Sequence, residues 1–214
     1  MYARLFVVVF LSVWQVDAEY HTFQWQSCTT DTVHQALKVH SVAVNPTPVL
    51  TPGPLHISFT ASVLKQIEAG AAIQFDITRH TALGADVHIP CVGDLGSCIL
   101  DGCSVIDNML NGTRQGQRDL GLQIKKMFES VGVFTHCPIA VQNITISNYK
   151  IDIAELDPAL NFIADGDYTI KATVLHPSTG IQLGCFQFNI TLKRKSTGGG
   201  WLLGRKRRSY KNAQ

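Results

Sequence analysis

The chain has 214 residues and a formal net charge of +2, but eight of its 18 Lys and Arg follow Leu192, and Arg4 lies near the start. Residues 19–192 therefore hold nine basic against fifteen acidic side chains, a net charge of −6. That sign argues against nucleic acid as a partner, because phosphate contacts need clustered basic groups.

Met1 to Ala18 reads as a secretory signal peptide: Arg4, an apolar run from Leu5 to Trp14, and a small residue closing the segment. The run falls short of the roughly 20 apolar residues that span a bilayer. Six cysteines follow it: Cys28, Cys91, Cys98, Cys103, Cys137 and Cys185. An even count in an exported chain points to disulfides, and spacing alone does not choose among the possible pairings. Cys91, Cys98 and Cys103 lack the paired knuckle of a structural zinc site, so no metal and no cofactor is expected. Asn111, Asn143 and Asn189 each open an Asn-Xaa-Thr glycosylation sequon, whereas Asn45 is excluded by Pro46.

In chain order, Leu37 to Val42 gives a first strand pattern. Pro46, Pro48, Pro52 and Pro54 then restrict their stretch to a sheet edge or a surface connector. Period-two alternation places strands around Leu55–Thr60, Ile73–Thr78, Tyr149–Ile153, Tyr168–Val174 and Phe186–Leu192. Asp165-Gly166 and Ser178-Thr179-Gly180 supply turns. Ile99, Cys103, Ile106 and Leu110 recur at helical spacing up to a stop at Asn111-Gly112, and Leu120 to Glu129 is a second helix candidate. The fold class is all-β: a two-sheet, immunoglobulin-like sandwich or cup with one or two short helices. Residues 193–214 form a basic tail, expected to be disordered in isolation.

The enzyme signatures sought (a nucleophile elbow, a His-Glu-Xaa-Xaa-His helix, a phosphate loop) do not occur, which argues for a binding protein. The segment His88-Ile89-Pro90-Cys91 through Gly96-Ser97-Cys98 and Cys103 to Leu110 resembles the ganglioside activator proteins. These are lysosomal cofactors of β-hexosaminidase within the ML lipid-recognition superfamily. Phe23 to Cys28, Phe134-Thr135-His136-Cys137-Pro138, Asp165 to Ile170 and Thr179 to Cys185 continue the likeness in the same order, over residues 23–192.

The resemblance implies disulfides Cys28–Cys185, Cys91–Cys98 and Cys103–Cys137. A further pair found in that family has no cysteines here. It also implies sheets held apart around an apolar lipid cavity. The residues assigned to its lining are Phe59, Ile73, Phe75, Ile77, Ile106, Leu110, Leu122, Ile151, Ile170 and Val174. Membrane-contact loops fall at Val63 and Leu64, and at Leu160, Phe162 and Ile163. The implied partners are a glycosphingolipid or other two-chain lipid, a transient membrane surface and β-hexosaminidase. The implied location is secreted or lysosomal. A sterol carrier or lipid sensor of the same fold, and a filled-core protein-binding module, are the alternative readings.

Overall fold

The computed structural model describes residues 22–81, 83–133, 136–155 and 165–195. The leader, Leu160, Phe162, Ile163 and residues 196–214 lie outside the described residues.

Among the described residues the elements run β1 (Gln24–Ser27), β2 (Leu37–Asn45), β3 (Val49–Thr51), β4 (Gly53–Val63), β5 (Ala72–His80), β6 (Asp86–His88), β7 (Ile99–Asp101), α1 (Val105–Leu110), α2 (Gln115–Glu129), β8 (Gln142–Ile153), β9 (Gly166–Leu175) and β10 (Gln182–Arg194). One sheet has the order β1-β10-β9-β5-β6, with β3 on the β1 side of β10 and β7 beside β6 on the outer edge of β5. The other is β2-β4-β8. All pairings are antiparallel except β3 with β10.

The period-two patterns become these strands because one face of each meets the other sheet. Ile144, Ile146 and Ile151 of β8 and Val63 of β4 pack with Val174 of β9 and Leu183 of β10 in one core cluster. Val49, Leu55, Ile89, Tyr168 and Ile190 form a second. Ile57 and Ile153 touch both clusters, so the interior is continuous.

Three sequence expectations change. The first helix begins only at Val105, since Ile99–Asp101 pairs with Ala72–Gln74 as β7 and leaves Ile99 67 % exposed. The second helix starts five residues earlier than its apolar pattern, at Gln115, because its first turn is polar and faces the cavity described below. Lys193 and Arg194 belong to β10 rather than to the tail, paired with Leu50 and Thr51. The proline-rich stretch divides: Pro46 and Pro48 lie in the connector between β2 and β3, β3 lies at a sheet edge, and Pro54 enters β4, the central strand of the second sheet, where it pairs with Asp152 of β8 beyond the end of the β2 ladder.

Candidate functional site

At one end of the sandwich the two helices stand off the sheets and leave a cavity of about 570 Å³. Its half-buried lining is mainly apolar: Phe75 of β5, Leu95, Leu100 of β7, Val105 and Met109 of α1, Leu120 of α2 and Ile153 at the end of β8. Its exposed rim is mainly polar: Asp94, Asn108, Thr113, Gln115 and Glu155. Cavities of about 300–1,000 Å³ with this distribution suit an organic ligand whose apolar part is buried and whose polar part faces water.

Local chemistry fixes the walls. The Cys91–Cys98 disulfide closes the loop that brings Asp94 and Leu95 to the cavity. That loop needs Gly96, whose φ is +99° and whose absent Cβ would sit 2.1 Å from the Pro90 carbonyl oxygen. Cys103–Cys137 encloses both helices within one covalent loop. Cys28–Cys185 joins the end of β1 to β10 across 157 residues. These are the three pairs that the family resemblance implies.

The helices meet at Gly121, where a Cβ would lie 2.8 Å from Met109 Cβ, so α1 and α2 are nearly in backbone contact. Helix α2 packs Met127 into the core cluster that holds Ile144, Ile146 and Ile151 of the edge strand β8, and Gln123 ties it to that strand by hydrogen bonds. Gln123 Nε2 donates to the Asp152 carbonyl (3.0 Å), and the Asp152 N–H donates to Gln123 Oε1 (2.7 Å).

Of the ten residues assigned to a lining, Phe75 lines this cavity. Phe59, Ile151 and Val174 pack in the first core cluster, and Ile77 and Ile170 in the second. Ile106 is buried and Leu110 half-buried in α1, while Ile73 packs against the Gly102 backbone. Leu122 is 43 % exposed, because Leu120, Ile124, Met127 and Phe128 form the inward stripe of α2 and Leu122 lies off it.

Val63 is not on a loop. It is the last residue of β4 and is buried, continuing the inward row Leu55, Ile57, Phe59 and Ala61. Leu64, one residue on, is exposed.

The sequence reading missed Leu83. It is 91 % exposed at the tip of the β5–β6 hairpin, in a turn closed by Thr81 N–H to the Ala85 carbonyl (3.0 Å) and by Ala85 N–H to Thr81 Oγ1 (3.1 Å). Its signal was partial: Leu83-Gly84 soon after the strand pattern Ile73–Thr78 reads as a turn carrying an apolar residue. Glu155 lies on the cavity rim, and Asp165, the next described residue, has a carbonyl that accepts from Arg79 Nη2 of β5 (2.7 Å). The intervening segment contains Leu160, Phe162 and Ile163.

The described residues thus form a two-sheet sandwich with its helices at one end, three cystines and an apolar cavity. The family model described as the ML domain matches residues 22–192. The chain belongs to the ML domain family. Similar proteins include the ganglioside GM2 activator of Mus musculus, 25 % identical over 174 residues, which covers 80 % of this chain and 82 % of that one. The ganglioside GM2 activator of Macaca fascicularis is 22 % identical over 173 residues, covering 80 % and 84 %. A crystal structure of a Niemann-Pick type C2 protein from the Japanese carpenter ant aligns with 79 % of this chain and 99 % of its own. Its TM-score is 0.39 and its identity 12 %. As an ML domain, the chain is a lipid-binding protein.

Proposed function

We propose that this ML domain is a non-enzymatic carrier that takes a glycosphingolipid by its hydrocarbon and presents its sugar to a soluble glycosidase such as β-hexosaminidase. The observation that carries this reading is the cavity: half-buried apolar side chains from both sheets and both helices, under a rim of exposed carboxylate, amide and hydroxyl groups. Hydrocarbon moved from water into such a lining contributes roughly 0.8 kcal/mol per methylene. A bilayer interior offers nearly the same, so the exchange is close to balanced and the lipid can be returned. Polar rim groups match a carbohydrate, which hydrogen-bonds and is left facing solvent.

The two similar activator proteins support the glycolipid class, and three disulfides support passage through an oxidising, secretory compartment. Leu83 is assigned to membrane contact, together with Leu160, Phe162 and Ile163, which lie between Glu155 and Asp165 in sequence.

The test pairs two assays on the secreted protein: transfer of a fluorescent glycolipid between vesicles, and stimulation of β-hexosaminidase on vesicle-bound ganglioside. Both are expected to rise with protein concentration. Transfer without stimulation leaves a carrier and removes the presenting role, while no transfer at all ends the reading.

A further inference from the structure

Asn111 is the C-cap of α1, and its side chain is exposed. The cavity lining includes Asn108 and Met109 on one side of it and Thr113 to Gln117 on the other. Thr113, the hydroxyl residue of the sequon Asn111-Gly112-Thr113, is itself on the rim. The attachment point is held in place. The Asn111 N–H donates to the Asp107 carbonyl (2.9 Å), and Arg118 Nη1 donates to the carbonyls of Gly112 (2.7 Å) and Thr113 (2.9 Å). The other two sequons lie elsewhere. Asn143 is near the start of β8, whose opposite end reaches the cavity, and its Oδ1 accepts from Ser62 Oγ (2.7 Å). Asn189 is half-buried on β10 between β1 and β9.

We propose that Asn111 carries an N-linked glycan that stands at the cavity mouth and slows the passage of ligand through it. In the modification step the Asn111 amide nitrogen attacks C1 of an oligosaccharide linked to a polyisoprenyl pyrophosphate. The N–C1 bond forms, the C1–O bond to the pyrophosphate breaks, and the amide gives up one of its two protons. The attached oligosaccharide is large, hydrated and anchored on a pinned turn. It narrows the solid angle from which a ligand can approach and does not occupy the apolar lining. It therefore acts on the rates of uptake and release, with little effect on equilibrium affinity. The inference rests on the secretory reading above.

The test uses full-length protein secreted from eukaryotic cells, as wild type, Asn111→Gln and Asn143→Gln. Both substitutions leave every cavity-lining residue in place. Glycopeptide mass spectrometry reports whether Asn111 is modified. Stopped-flow uptake of 8-anilinonaphthalene-1-sulfonate reports access to the cavity, whatever the natural ligand. The expected result is a glycosylated Asn111 and uptake about threefold or more faster in Asn111→Gln than in wild type or Asn143→Gln, since related complexes differ in association rate by up to a few decades. Trimming native wild type with an endoglycosidase to a single sugar should move its rate in the same direction, without any substitution. An unmodified Asn111, equal rates, or no dye uptake in any form overturns the proposal. Loss of glycolipid transfer with the rate difference intact would sink the carrier reading alone.

Discussion

Gln123 and Asp152 form a two-way hydrogen-bonded pair: the side-chain amide of a helix residue satisfies both backbone groups of an edge-strand residue, at 3.0 and 2.7 Å. Gln123 thus does locally what a neighbouring strand would do, and it adds a polar tie to the apolar packing of α2 on the core. Replacing it with Ala should cost about 1–2 kcal/mol, the net worth of two such bonds at an exposed site. Hydrogen exchange should show the Asp152 amide losing protection while the β4–β8 ladder keeps its own.

Gly121 sets the spacing between the helices. A methyl group there meets Met109 Cβ at 2.8 Å, and Met109 lines the cavity. Gly121→Ala is expected to destabilise by about 1–3 kcal/mol, as overpacking does. It should also change dye affinity, because α1 must shift. A variant with unchanged melting temperature and unchanged affinity would show that the two helices do not touch here.

Phe75 and Ile151 were assigned the same role and occupy different places, one on the cavity wall and one at 2 % exposure in the core. Phe75→Ala should reduce lipid transfer about tenfold, equivalent to ~1.4 kcal/mol of lost binding. Ile151→Ala should cost about 2–5 kcal/mol of stability and leave transfer per folded molecule unaltered. Chemical denaturation and transfer measured on the same samples separate the two.

Leu83 makes little contact with the rest of the fold. Leu83→Asp should leave stability within about 0.5 kcal/mol of wild type. Loss of an inserted leucine, worth roughly 1.5–3 kcal/mol, should reduce vesicle partitioning by about tenfold or more. Liposome flotation measures this directly, and an unaffected partition would move the membrane contact elsewhere.

Among the described residues, Asp31 and Tyr168 have shifted titrations that contribute to the pH dependence of stability. The Asp31 carboxyl is held below its ordinary value, first by the His34 backbone N–H and then by the His34 ring. Its contribution is present above the ordinary carboxylate pKa and lost as pH falls through the lowered one. Burial pushes the Tyr168 phenol up; Arg79 opposes this and the nearby Asp165 and Asp167 add to it. A raised phenol favours the folded state while protonated, so stability falls once pH rises past the phenol's ordinary value of about 10 in the unfolded chain. The Tyr168 hydroxyl has no hydrogen-bond partner among the described residues. Tyr168→Phe should therefore be neutral or stabilising near neutral pH and should flatten the alkaline limb of a thermal-melt profile. Asp31→Asn should flatten the acid limb.

The long strands were legible because alternation is a local property. Tyr149–Ile153 and Tyr168–Val174 announce which face turns inward. The three-residue strands β6 and β7 are too short to carry a period, and their pairing with β5 is decided by tertiary contact. A loop position for Val63 is what the family resemblance implies; the β4 alternation, clear in sequence to Thr60, continues inward through Ala61 to Val63 at the end of the strand. The cavity was not legible from periodicity at all. An apolar side chain facing a neighbour and one facing a hollow have the same spacing, so Phe75 and Ile77 look alike in sequence but differ in what they touch.

Strand β10 has a consequence for how the molecule comes into being. Its thirteen residues are the partner of β1, β3 and β9; β9 also pairs with β5, whereas β1 and β3 have no sheet to join until β10 has been made. A growing chain would emerge with those edges bare and greasy for most of its synthesis. A message cut short before Gln182 would leave β9 with one bare flank and β1 and β3 with no strand to pair with.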